Sequence, residues 1–131
     1  MILVDTCVWS EALRKKKNVN REAVEKLTNM IRENQVAMIG PIRQEILSGV
    51  TNKKVFLDLQ EKLRFFPDIV FTENNYELAA EYFNLCRRKG VQGSNTDFLI
   101  CSISICHDLP IFTFDKDFLN FKKIFKLKLY S

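Results

Sequence analysis

Short runs of β-type residues, each stopped by a polar or turn-forming residue and followed by a helical period, constrain this chain more than any other feature. Ile2-Leu3-Val4 ends at Asp5 and leads into the helical spacing of Val8, Trp9, Ala12 and Leu13. An apolar run bounded in this way reads as a buried strand entering a helix, with the cap at Asp5 or Thr6. The pattern recurs at Val36-Ala37-Met38-Ile39, which Gly40-Pro41 separates from a short helix over about Ile42 to Ser48, stopped by Gly49. It recurs again at Ile69-Val70-Phe71 before a long amphipathic helix from Asn74 to Lys89, and at Pro110-Ile111-Phe112-Thr113-Phe114 before Asp115 and a helical turn at Phe118-Leu119.

The remaining segments fit the same alternation. Asn20 is placed to cap a helix carrying Ala23, Val24, Leu27, Met30 and Ile31 on one face, and Lys53 to Arg64 has helical spacing before Pro67. Phe98 to His107 is apolar nearly all round, which predicts a central buried helix capped near Asn95 or Thr96. Phe125-Lys126-Leu127-Lys128-Leu129 alternates strictly, as a half-exposed edge strand does. Strands alternating with helices, without a hairpin signal, predict an α/β fold with four or five mostly parallel strands joined by right-handed crossovers. The expected organisation is one domain over 1–131, a length that buries roughly two-thirds of the unfolded surface.

Composition removes several function classes. The one histidine, His107, excludes paired-His metal centres within this chain and reads as a helix end. Cys7, Cys86, Cys101 and Cys106 form no CxxC pair and suit a reducing compartment. The N-terminal apolar run meets Asp5 at once, unlike an export signal, and the longest apolar stretch is about half of the roughly 20 residues a membrane span needs. The expectation is a cytoplasmic protein with no membrane partner.

In an open parallel sheet the functional crevice lies outside the carboxyl ends of the strands. Acids at those positions are Asp5 after the first strand, Glu45 a turn beyond the second, Asp115 after the fourth, and Asp97 at the start of the buried helix. Each also has a purely structural reading as a cap, turn former or solvated helix residue. Carboxylates gathered in one crevice raise one another's pKa values unless a cation compensates them. With hard oxygen ligands alone the cation would be Mg²⁺, with Mn²⁺ as the alternative, and its usual work is phosphodiester hydrolysis.

Four segments resemble, in order and spacing, the motifs of PIN-domain nucleases, and most of all the VapC-type toxins of toxin–antitoxin pairs. They are Leu3-Val4-Asp5-Thr6, Arg43-Gln44-Glu45-Ile46-Leu47-Ser48-Gly49, Thr96-Asp97-Phe98-Leu99-Ile100 and Thr113-Phe114-Asp115-Lys116-Asp117-Phe118. The resemblance covers Ile2 to about Phe125. It implies a three-layer α/β/α sandwich, magnesium-dependent cleavage of RNA, a homodimer, and neutralisation by a small VapB-type antitoxin. By position it implies Asp5, Asp97 and Asp115 as metal ligands and Glu45 as a further catalytic acid that holds metal or positions water. Asp117 matches an additional acid, Thr113 a hydroxyl two residues before the fourth acid, and Thr6, Ser94 or Asn95 would orient water or phosphate. Phe114 departs from the pattern, standing where relatives often carry a polar or basic residue.

Charge is segregated along the chain. The net charge is +4, yet the segments Arg14 to Arg21 and Lys116 to Ser131 together carry +9, which leaves −5 elsewhere. Arg14, Lys15, Lys16, Lys17 and Lys116 are candidates for holding an RNA backbone, against a second reading of such residues as solubilising. Most of the 11 phenylalanines read as core, and Trp9 reads as buried against the sheet. Two other functions remain in view. One is a catalytically silent PIN fold that binds RNA or a protein. The other is a phosphoacceptor receiver domain, which needs an Asp directly after its third strand, whereas Asp68 precedes Ile69-Val70-Phe71 and Thr72 follows it.

Overall fold

In the computed structural model, which describes residues 1–13 and 20–131, β1 (Ile2–Val4) is the middle strand of a parallel sheet. Beside it on one edge lies β2 (Val36–Ala37), with Ile2 opposite Val36 and Leu3 opposite Ala37. On the other edge lies β3 (Ile111–Phe112), with Leu3 opposite Ile111 and Val4 opposite Phe112. Successive strand residues point to opposite faces. Leu3 and Val4 are both 0% exposed, so helices cover the sheet on both sides and the fold is the expected α/β/α sandwich.

Between β1 and β2 run α1 (Thr6–Leu13) and α2 (Arg21–Arg32). Between β2 and β3 run α3 (Gly40–Leu47), α4 (Lys53–Leu63), α5 (Glu73–Arg88) and α6 (Asn95–Cys106). A six-residue helix, α7 (Asp117–Lys122), follows β3 where a single turn was expected. Asn20 caps α2 as its position predicts, accepting the Ala23 N–H at 3.1 Å. Three starts differ from expectation. Gly40-Pro41 opens α3 instead of preceding it, because the first helical turn has no use for the N–H that proline lacks. Thr72 caps α5, with the Asn75 side chain accepting the Thr72 N–H in return at 2.8 Å. Ser94 caps α6, one residue ahead of Asn95 and two ahead of Thr96, the expected caps. Gly49 (φ +87°) and Gly90 (φ +73°) stop α3 and α5 in the left-handed region, and His107 ends α6 as expected.

Among the described residues the sheet has three strands, fewer than the expected four or five. Ile69-Val70-Phe71 and Phe125 to Leu129 meet it only through single parallel bridges, Asp68 with Met38 and Leu129 with Ile111. Five chain segments thus lie side by side, and the outer two do not continue as strands. At one edge, Ile69 N–H reaches Met38 O at 2.9 Å, after which Val70 turns out to 79% exposure. Arg43 fixes the preceding turn, donating to the Leu63 and Phe66 carbonyls and pairing with Asp68 at 2.9 Å. At the other edge, Leu127 N–H bonds back to Phe125 O at 2.9 Å, a tight local turn that interrupts pairing before Leu129.

The core lies around α6, whose Phe98, Ile100, Cys101 and Ile103 are at most 1% exposed. Its buried hydroxyls are satisfied, Ser102 donating to Leu99 O and Ser104 to Leu109 O. α5 packs along α6, and Phe98, Phe118 and Phe121 interlock behind the helix. Trp9 is buried edge-on against Phe66. Among the described residues no helix is long and apolar enough to cross a membrane.

Candidate active site

The carboxyl ends of β1 and β3 and the N-terminus of α6 meet at a cleft of about 470 Å³. Asp5, Glu45, Asp97 and Asp115 all line it. Asp5 is the first residue past β1 and only 8% exposed. Its Oδ1 accepts the Thr6 N–H at 2.8 Å, and its Oδ2 accepts the Thr113 hydroxyl at 2.8 Å. Asp97 sits in the first turn of α6, where its Oδ2 accepts the Ser94 N–H at 3.0 Å while its own N–H donates to Ser94 Oγ at 3.1 Å. Asp115 turns the chain out of β3, donating its N–H to Thr113 Oγ1 at 3.0 Å and accepting the Asp117 N–H on Oδ1 at 2.9 Å. Capping and turn bonds explain the positions of Asp97 and Asp115 and engage one oxygen of each carboxylate, whereas both oxygens of Asp5 accept hydrogen bonds. Acid in the cleft and cap of a turn are the same residue.

Glu45, on α3, accepts the Thr6 hydroxyl on Oε1 at 3.1 Å. Thr6 and Thr113 thereby join Glu45, Asp5 and Asp115 into one network that runs from α3 across both strand ends to α7, while Asp97 lines the same cleft with its hydrogen bonds to Ser94. Asp97, Asp115 and Asp117 each offer a carboxylate oxygen within 4.8 Å of the others. Asp117 thus joins two of the three expected ligands, and Asp5, the third, lines the same cleft but is not one of this trio.

Electrostatics sets these groups against one another. Burial pushes the Asp97 carboxyl up, as do Asp115 and Asp5, against the opposing hydrogen bonds from Ser94. Burial likewise raises Glu45, opposed by the Thr6 hydroxyl and reinforced by Asp5 and Asp97. A set of oxygen-only donors that repel one another suits a hard divalent cation of the Mg²⁺ or Mn²⁺ type, and the residues present fit such an ion.

The other candidates divide. Thr6 and Thr113 lie in the network, whereas Asn95 faces away into a separate hollow between α5 and α6 beside Phe83 and Phe98. Ser94 acts on Asp97 as its cap. Lys116 is exposed at the N-cap of α7, between two of the acids. Arg14, Lys15, Lys16 and Lys17 lie outside the described residues. Lys128 pairs with Asp108 at 2.6 Å, which is the edge-protecting role of such a residue.

Sequence reasoning missed Cys7. Its thiol stands 3.6 Å from both Asp5 Oδ2 and Thr113 Oγ1 and accepts the Phe114 N–H at 3.3 Å, with burial raising its pKa. Position was the available signal, two residues after the first acid on a helix whose start borders the crevice. Glu11 also lines the cleft and accepts the Asn20 N–H at 2.7 Å, tying α1 to the start of α2.

Known proteins match this geometry over nearly the whole chain. The PIN domain family model matches residues 2–124. The VapC ribonuclease Mb1587 of Mycobacterium bovis is 30% identical over 133 aligned positions, covering 100% of this chain and 98% of that protein. Ribonuclease VapC11 of Mycobacterium tuberculosis matches to the same extent, 30% identity over 100% of this chain and 98% of its own length. Among solved structures, FitAcB from Neisseria gonorrhoeae superposes with a TM-score of 0.80 at 24% identity, covering 100% of this chain and 97% of that one. VapBC2 from Rickettsia felis, bound to a DNA fragment from the complex's promoter, gives 0.76 at 20% identity, covering 99% and 98%.

Proposed function

Because this chain belongs to the PIN-domain family, among its VapC-type members, we propose that it is a single-domain, metal-dependent endoribonuclease acting as the toxin of a toxin–antitoxin pair. The observation that carries this reading is the meeting of Asp5, Glu45, Asp97 and Asp115 in one cleft, drawn from four separate parts of the chain. The printed names of the mycobacterial relatives support RNA as the substrate. Asp97, Asp115 and Asp5, with Asp117, would hold Mg²⁺ or Mn²⁺. When bound, such an ion supplies positive charge against the phosphoryl oxygens and acidifies water for attack.

The protein's own groups do the rest. Glu45, raised by burial and held by the Thr6 hydroxyl, accepts the proton of the attacking water as its oxygen bonds to phosphorus. The bond from phosphorus to the leaving sugar oxygen breaks, and that oxygen takes a proton from solvent. Thr113 holds Asp5 and the Asp115 backbone together, so two acids keep their separation through the reaction. Lys116, with the basic segment at 14–17, draws in the RNA backbone. A VapB-type antitoxin partner, supported by the match to the VapBC2 structure, and a homodimer complete the proposal.

The test is cleavage of single-stranded RNA by the purified chain. Mg²⁺ or Mn²⁺ should support it, and EDTA should abolish it. Asp97→Asn should lower the rate at least about a hundredfold with the circular dichroism spectrum unchanged, as expected when electrostatic support for the transition state is lost. Full activity of Asp97→Asn would overturn the site assignment. Absence of cleavage with either metal would leave the chain a PIN fold that only binds.

A further inference from the structure

Among the described residues Phe114 is the one aromatic side chain lining the acidic cleft, and it is 42% exposed. Phe98, Phe118 and Phe121 are by contrast at most 1% exposed. Its place is fixed from two sides. The backbone N–H bonds to Cys7 Sγ at 3.3 Å, and the ring stands edge-on to Phe112, with centroids 5.9 Å apart and planes at 82°. A ring held in this way keeps its exposed surface in one orientation, so a flat partner meets it without ordering a loose side chain.

We propose that Phe114 is the stacking platform for a nucleobase next to the phosphate cut at the acidic cleft, so that the protein reads single-stranded RNA by a base face as well as by its backbone. The inference rests on the ribonuclease reading above. Phe114 and Asp115 are consecutive, and a nucleotide likewise carries its base and phosphate on one sugar. A phosphate at the acids therefore presents its own or the adjoining base to the ring. The surroundings favour a base over a protein surface. The cleft's other lining residues are acids, hydroxyl residues and Cys7, whereas a protein interface builds its centre from contiguous apolar side chains. Stacking on a single ring is tolerant of base identity, since every base has a π face, and it discriminates against paired strands whose bases are already stacked.

The test uses a short end-labelled single-stranded RNA of mixed sequence and a matching series with one abasic site at each position. Binding is read by fluorescence anisotropy in an Asp97→Asn background, and cleavage kinetics are read with Asp97 intact. Phe114→Leu should weaken binding and raise KM about tenfold with little change in kcat, and Phe114→Tyr should restore both. One abasic position should reproduce the Phe114→Leu loss, and combining the two should cost little more than either alone. The Mn²⁺-induced rise in melting temperature should be the same in all the Phe114 variants, which separates stacking from damage to the acids. Equal RNA affinity and KM for Phe114→Leu and the parent would overturn the proposal and leave the ring to a protein contact. A wild-type chain that binds RNA through Phe114 but does not cut it would overturn the nuclease reading and leave the platform standing.

Discussion

Two neighbouring positions at the start of α6, Phe98 and Asp97, obey opposite rules. Around Phe98, the rings of Phe83, Phe118, Phe121 and Phe125 lie against one another in edge-on, tilted and stacked pairs, and each improves the burial of the next. One residue earlier, Asp97 faces acids that each penalise the others, held in place by caps and threonine hydroxyls. Stability is therefore built in the aromatic cluster and spent at the cleft. The helix that carries both makes the second depend on the first.

Three substitutions test that contrast, and the largest effect belongs to the cluster. Phe121 is fully buried against three other rings, so Phe121→Ala should destabilise by about 3–5 kcal/mol in chemical denaturation. A loss below about 1 kcal/mol would mean that the rings pack loosely and do not anchor α6. The next effect comes from adding atoms. A Cβ on Gly93 would lie 2.6 Å from Phe121 Cζ and 2.8 Å from Phe98 Cζ, both ring tips locked in the core. Gly93→Ala should cost about 1–3 kcal/mol, measured as a shift of the urea midpoint at constant slope.

The smallest effect has the opposite sign. Asp97 is raised by burial and by its acidic neighbours, so the folded metal-free chain holds that proton more tightly than the unfolded chain does. Such a group contributes its stability below the unfolded pKa and loses it as the pH rises through the folded one. In EDTA at neutral pH, Asp97→Asn should therefore melt slightly higher than wild type, by less than about 1 kcal/mol because the group is partly solvent-screened. The gap should close as the pH falls into the carboxylate range. A wild type more stable than the variant at neutral pH would show that Asp97 acts there mainly as a cap.

Much of this arrangement was legible from the amino acids, and its failures share one cause. Ile2-Leu3-Val4, the Asn20 cap, the stops at Gly49 and Gly90 and the acids past the strand ends are local signals, and the chain obeys them. The motifs around Asp5, Glu45, Asp97 and Asp115 also sufficed to identify the family. Ile69-Val70-Phe71 has equally good β-type residues and forms no strand, because strand formation needs a partner edge and Arg43 has already fixed the turn before it. Phe125 to Leu129 keeps the alternating burial its sequence predicts, yet pairs only at Leu129. The Asn95 position shows the same limit at the site. One step along a helix turns a side chain by about 100°, so Asn95 and Asp97 leave the same first turn in different directions.

The Thr113 hydroxyl that holds Asp5 reaches across 108 residues of sequence. A growing polypeptide on the ribosome presents Asp5 well before Thr113, Asp115 and the third strand have been made. Since chains are synthesised over seconds and fold as units when their partners emerge, the cleft is assembled only after the segment from Ile111 to Asp115 has emerged. Whatever chemistry the acids perform is thereby withheld from any product that stops before Thr113.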